Sequence, residues 1–387
     1  MIRRTLLIFL VINLGAIFLL IADGWFEFGK GAQGKRLQVM QRSPNWQDGG
    51  FVNSIALYNP FLERPDRWFE SSDFATPKER LTFTRPDPLV FEEEAPLRVT
   101  WLGHSITLIE FGGVRFLTDP IWSDRASPYS WIGPRRWYEP PIDLEDLPNI
   151  DAVLISHDHY DHLDTATIRQ LRNKAGKFVV PLGVGAHLEF WGIASNKIIE
   201  LDWWQNVEIQ NVTVTSTPAR HASGRMLVDN DKTLWMGFAL RAPSHAVYFS
   251  GDTGLFPELK DIGDRLGPFD VTLIEVGAYG ADWPDWHVGP EQAVLAHNWV
   301  RGETLIPIHW GMFNLARHGW TEPVERARLA AQKAGCRLLT PQPGSSVSDD
   351  ELDPVTPWWP HVPWEHVEKS SIVATGDFER SFRPGGC

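Results

Sequence analysis

Residues 156–164 read SHDHYDHLD and follow directly on the apolar run AVLI (152–155). The run predicts a buried strand, and the next nine residues carry three histidines and three aspartates. Titratable groups issuing from a core cost free energy unless the fold brings them a partner. The spacing H-x-H-x-D-H suggests that partner. In an extended or turning backbone His157 and His159 share one side and can pinch one cation. Asp161 and His162 follow where the chain turns and can reach a second. Imidazole with carboxylate is a ligand set for zinc that also suits manganese or iron.

Three more segments end in the same way. VTVTSTPARH delivers His221, AVYFSGDTG delivers Asp252, and TLIPIHWG delivers His309, each just past an apolar β-like run. Two ions need about three protein ligands each and a bridge. The inventory supplies His157, His159 and His221 for one, Asp161, His162 and His309 for the other, and Asp252 between them. Asp119, in LTDP, is either a turn residue or a carboxylate orienting a ligand imidazole, and His104, in WLGHS, is open in the same sense.

From Arg98 onward short β-like runs alternate with helical ones such as TATIRQLRN, FPELKDIGDRL and TEPVERARLAAQKAG, which predicts a layered α/β domain. No internal repeat is visible. The chain divides into 1–28, a signal peptide or membrane anchor; 29–96, a linker and irregular arm; 97–347, the catalytic domain; and 348–387, a Pro/Trp-rich tail.

The set H-x-H-x-D-H followed by His, Asp and His at strand ends resembles the metallo-β-lactamase superfamily. WLGHSITLIE, TDPIWSDRASPYSWIGPRRW, LPNIDAVLISHDHYDHLD, GDTG, GAY and IPIHWGMF resemble its branch of N-acyl-phosphatidylethanolamine-hydrolysing phospholipases D, which adjoins the ascorbate-phosphate lactonase-like hydrolases. The resemblance spans roughly residues 43–344. It implies an αββα sandwich with two zinc ions at one edge, held by the ligands already named. It also implies that His287, in DWHVGPEQA, lies beside the metals and touches substrate. Asp158 stands where the phospholipase pattern tends to show Asn, between two ligands, and is expected to matter little.

The implied activity is dinuclear metal-dependent hydrolysis through a metal-bridging hydroxide, with Asp161 or Asp252 orienting the nucleophile. A phosphodiester of N-acyl-phosphatidylethanolamine or a related phospholipid is the expected substrate. The alternatives are a lactone or other carboxylic ester and, further off, a non-catalytic exported metal-binding envelope protein. A net charge of −13 disfavours nucleic acid as a partner. Two cysteines, Cys336 and Cys387, are too few for a disulfide framework or a Cys-based zinc finger. Arg3 and Arg4 precede an apolar run from Leu6 to Ala22, broken only by Asn13 and Gly15. That order predicts export, with the chain anchored to or released at the extracytoplasmic (periplasmic) side and meeting a membrane surface through this segment. A homodimer is admitted as a further partnership. Nineteen tryptophans are the outlier in composition, and the tail's Trp/Pro segment is expected to pack on the domain surface or to form an aromatic lip.

Overall fold

A computed structural model describes residue 15 and residues 24–83, 97–348 and 357–375. The apolar run near the N-terminus, apart from Gly15, lies outside the described residues. Among these no helix is long and apolar enough to cross a membrane.

Two seven-stranded sheets form the domain. In chain order the first contains β3 (Arg98–Gly103), β4 (Ile106–Phe111), β5 (Val114–Thr118), β6 (Ile150–Leu154), β7 (Ala175–Pro181) and β8 (Ile198–Leu201). The second contains β9 (Asn206–Ile209), β10 (Val212–Thr217), β11 (Gly237–Arg241), β12 (Ala246–Phe249), β13 (Phe269–Glu275), β14 (Gly302–Ile308) and β15 (Arg337–Leu338). A last strand, β16 (Ser346–Ser348), returns to the first sheet and pairs antiparallel with β3. A small hairpin, β1 (Trp46–Gln47) with β2 (Gly50–Phe51), precedes both sheets.

Alternation along the strands sorts the side chains into layers. On β6, Ala152 and Leu154 join the core shared with the second sheet, together with Ile109, Phe116, Val214, Phe238 and Leu273. Val153 of β6 and Phe178 and Val180 of β7 face the other way, onto α2 (Thr165–Leu171) and α3 (Gly185–Phe190), through Ile168, Leu171 and Leu188. The second sheet is backed by α4 (Glu258–Leu266), α5 (Pro290–Trp299) and α6 (Glu322–Ala334), which contribute Ile262, Ala296 and Val324. The result is the αββα sandwich.

Strand direction decides where chemistry can gather. β5 and β6 are parallel, and so are β12, β13 and β14. β3 lies two antiparallel steps from β5, and β10 two antiparallel steps from β12, so each runs the same way as its neighbour but one. Seven strands thus discharge their C-terminal ends on a common edge in each sheet, and every candidate residue except His287 sits on such an end or on the loop after it.

The arm before residue 97 is more than a linker. α1 (Gly34–Met40) and the β1–β2 hairpin put Met40 and Phe51 into the main core. The C-terminal tail packs on the domain: Trp359 and Ala374 are buried in the same core. Trp101 stacks on Trp310 at 5.3 Å, and Trp310 on the tail's Trp358 at 5.3 Å. Part of the tryptophan excess therefore forms the floor under the loops that carry His104 and His309.

Candidate metal centre

The loop after β6 brings His157 Nε2 to 2.8 Å from His159 Nδ1, and the loop after β10 brings His221 Nε2 to 3.3 Å from the same atom. Three imidazole nitrogens thus converge on one point. Two of the rings are set from behind. Ser156 Oγ lies 2.9 Å from His157 Nδ1. The Trp286 carbonyl, 2.9 Å from His221 Nδ1, can only accept, so that nitrogen carries the proton and Nε2 offers its lone pair.

A second group shares an edge with the first. His162 Nε2 and His309 Nε2 each lie 3.1 Å from Asp252 Oδ2 and 3.3 Å from Asp161 Oδ2. The same Asp252 oxygen is 4.0 Å from His157 Nε2 and 3.8 Å from His221 Nε2. Asp252 thus faces imidazoles of both groups. Its position depends on Gly251, at φ 58°: a Cβ there would meet the Ser156 Cβ at 2.6 Å and the Met236 carbonyl oxygen at 2.8 Å. Only glycine lets the β12 loop approach the β6 loop so closely.

Behind this group Asp119 is fully buried. Its Oδ2 takes His162 Nδ1 at 2.7 Å and the Ser156 hydroxyl at 2.6 Å, and its Oδ1 accepts from the Ser156 amide at 2.7 Å. His104 sits further forward than an orienting residue need: its Nε2 is 3.1 Å from Asp161 Oδ2, within the cluster of Asp161, His162 and His309. His104, Asp119 and His309 all take positive φ (51°, 35° and 62°), the sharp turns that swing these side chains back over their strand ends.

The electrostatics divide the groups. Burial holds His157 and His221 well below the ordinary imidazole range, and holds His159 below it too. All three are neutral ligands in waiting. Burial also presses on His162 and His309, but there the Asp252 and Asp161 carboxylates win, carrying His162 well above the usual value and His309 up to about 10. Burial would raise Asp161 and Asp252, yet the facing imidazoles, His162 foremost, hold both well below the carboxylate range. The second group thus demands positive charge at its centre.

Residues 114–310 match a family model described as the β-lactamase superfamily domain. The chain belongs to the metallo-β-lactamase superfamily. It is 44% identical over 330 residues to an uncharacterized protein of Mycobacterium tuberculosis, covering 83% of this chain and 88% of that one. It is 42% identical over 235 residues to N-acyl-phosphatidylethanolamine-hydrolyzing phospholipase D 1 of Caenorhabditis elegans, covering 58% of this chain and 66% of the relative. Among solved structures it is similar to Igni18, a metallo hydrolase of Ignicoccus hospitalis, with a TM-score of 0.52, 26% identity and coverage of 65% of this chain and 98% of that one. The chain is accordingly a metal-dependent hydrolase of this superfamily.

The residues present fit metal ions. The Nε2 atoms of His162 and His309 face carboxylate oxygens of the same cluster, and Asp252 Oδ1 and His309 Nδ1 are buried without a hydrogen-bond partner. Such atoms are rare in a native interior unless a ligand takes them.

His287 stands at the same place, its Nδ1 3.7 Å from Asp252 Oδ2 and 2.7 Å from Glu275 Oε2. Burial lowers it to about 4. Glu275, the last residue of β13, is an addition that the sequence reading missed; it is fully buried and groups with Asp252, His287 and His309. A carboxylate closing the run DVTLIE was the available signal. Asp158 corrects an expectation. It does not lie idle between the ligands but turns into the protein, where its Oδ1 accepts from the Gly224 amide at 2.7 Å and its Oδ2 from the Thr233 hydroxyl at 2.8 Å. His187 is buried behind it, its Nε2 3.4 Å from Asp158 Oδ2. Asp164, the final residue of the opening motif, caps α2 by accepting from the Thr167 amide.

Proposed function

We propose that the centre holds two zinc ions and that the protein hydrolyses the phosphodiester of N-acyl-phosphatidylethanolamine or a closely related phospholipid. The observation that carries this reading is the Asp252 carboxylate oxygen standing within 4.0 Å of four imidazole nitrogens from two separate groups. His157, His159 and His221 would hold one ion, Asp161, His162 and His309 the other, and Asp252 would serve both. His104, beside Asp161, is placed to support the second set. Bound ions would supply Lewis acidity and an ionised water near neutral pH.

The chain's own residues do the rest. Asp119 and the Trp286 carbonyl fix the tautomers of His162 and His221. Glu275 occupies one nitrogen of His287 and leaves the other for substrate. Attack of a water oxygen on phosphorus, with cleavage of the bond from phosphorus to the N-acylethanolamine oxygen, yields phosphatidic acid and an N-acylethanolamine that regains the proton. The similarity to the Caenorhabditis elegans phospholipase supports this substrate class over other esters.

The test is a substrate panel on the purified full chain. N-Acyl-phosphatidylethanolamine should release phosphatidic acid faster than simple lactones open. Efficient lactone opening with no phosphatidic acid would sink the reading.

A further inference from the structure

Three stretches of chain that are distant in sequence meet on one face. Trp25 and Phe26 belong to the first segment described after the N-terminal apolar run, which ends at Ala22. The loop between β5 and β6 presents Trp131 and Ile132, and the loop after β10 presents Met226, Leu227 and Val228. These are among the most exposed large apolar residues of the molecule: Leu227 is 96% exposed, Val228 79%, Trp25 63% and Trp131 57%.

Contacts tie the three together. Phe28 meets Tyr129 edge-on, and Tyr129 packs on Trp131. The buried Arg225 guanidinium donates to the Glu27 carbonyl from both Nε and Nη2, and Trp191 donates to the Phe26 carbonyl at 2.8 Å. The tips are built rather than loose. Asp229 Oδ1 accepts from the Arg225 and Met226 amides, and Arg125 donates to the Ser130 and Gly133 carbonyls. Polar frames thus hold apolar side chains outward together, the kind of patch that marks an interaction site.

We propose that this face docks on a phospholipid bilayer, with Leu227, Val228 and Trp131 inserted among the head groups and upper acyl chains. The inference rests on the phospholipid reading above for the choice of lipid over a second protein. Two further observations favour lipid. In sequence the apolar run Leu6–Ala22 ends three residues before Trp25, which lies on this face. The tips themselves, MLV and WI, carry no charge, and tryptophan at a tip suits the bilayer interface.

The face is also coupled to the metal centre. The Tyr160 hydroxyl donates to the Arg225 carbonyl, one residue from Met226, and Tyr160 lies between His159 and Asp161. The Gly224 amide is held by Asp158, between His157 and His159. The loop that would enter the bilayer is thus hydrogen-bonded to the loop that carries His157, His159, Asp161 and His162.

The experiment is hydroxyl-radical footprinting of the full chain, alone and with vesicles of phosphatidylcholine and phosphatidylethanolamine. Met226 and Trp131 should lose reactivity by at least ~5-fold, as burial in an interface demands, while Leu329 on α6 keeps its own. The double variant Leu227→Asp with Val228→Asp alters only solvent-facing side chains and should restore Trp131 reactivity. Unchanged reactivity with vesicles, protection that survives in the double variant, or protection that rises with protein concentration without lipid would each overturn the proposal. The readout needs no turnover. A protected face with no release of phosphatidic acid would leave docking standing and defeat the substrate reading instead.

Discussion

Replacing Asp119 by asparagine changes one oxygen to an amide nitrogen at a fully buried position. In the native arrangement the carboxylate takes His162 Nδ1 at 2.7 Å and two bonds from Ser156. A carboxylate can only accept there, which keeps a proton on Nδ1, so that Nε2, the atom aimed at Asp161 and Asp252, is the nitrogen that gives up its proton to an ion. The asparagine Oδ1 can still accept from the Ser156 amide, but its nitrogen cannot accept from His162. The ring is then driven to the other tautomer, with its proton where an ion must bind. Loss of such an orienting partner lowers metal affinity about 10- to 100-fold, or roughly 1.4–2.7 kcal/mol. The assay is a competitive zinc titration of the apoprotein against a chromophoric chelator, with near-UV circular dichroism to confirm the fold. One binding phase should weaken by that factor, while the phase from His157, His159 and His221 moves less. A folded variant whose two phases stay within twofold of wild type would show that Asp119 is only a turn residue.

Metal binding should release protons. His157, His159 and His221 are neutral at pH 7, whereas His162 and His309, raised by their carboxylates, are charged and must each give up a proton to become ligands. Calorimetry in buffers of different ionisation enthalpy should report about two protons released per chain at pH 7 from the imidazoles and up to one more from the ionised water, with affinity rising from pH 6 to 8; none released would contradict the assignment. Trp101→Ala should cost about 3–5 kcal/mol in chemical denaturation, and should weaken metal binding as well, because its Nε1 donates to the His104 carbonyl; a loss under 1 kcal/mol would mean that the aromatic floor is not structural. Asp158→Ala should destabilise the apoprotein by about 1–3 kcal/mol at neutral pH through the orphaned Thr233 and Gly224 donors. Burial raises this carboxyl, but its bonds, His187 first, hold it below the carboxylate range, so its contribution is full above about pH 4 and disappears only in stronger acid. A difference from wild type that does not begin to shrink as the pH falls below about 4 would refute that account.

The candidate centre was legible in sequence because its residues sit immediately after apolar β runs, and strand ends are where a layered α/β fold opens to solvent. His157, His221, Asp252 and His309 all carry that local mark. Glu275 carries a weaker one: it is still inside its strand, and only the packing of β13 beside β14, Glu275 opposite Ile308, brings it under His287. The role of Asp158 was invisible for a different reason. Its partners Thr233 and His187 are long-range, and nothing in HDH tells which of three side chains turns inward. The arm reads as irregular in sequence because a seven-residue helix and a hairpin of two-residue strands leave little periodicity, although Met40 and Phe51 are core residues.

The central claim is a two-ion centre joined by Asp252, and metal counting tests it most directly. The full chain, loaded with zinc and freed of excess, should carry about two ions per chain by mass spectrometry, and Asp252→Asn should lose metal and hydrolytic activity together. A wild-type chain that binds at most one ion, or an Asp252→Asn chain that keeps both, would contradict the account.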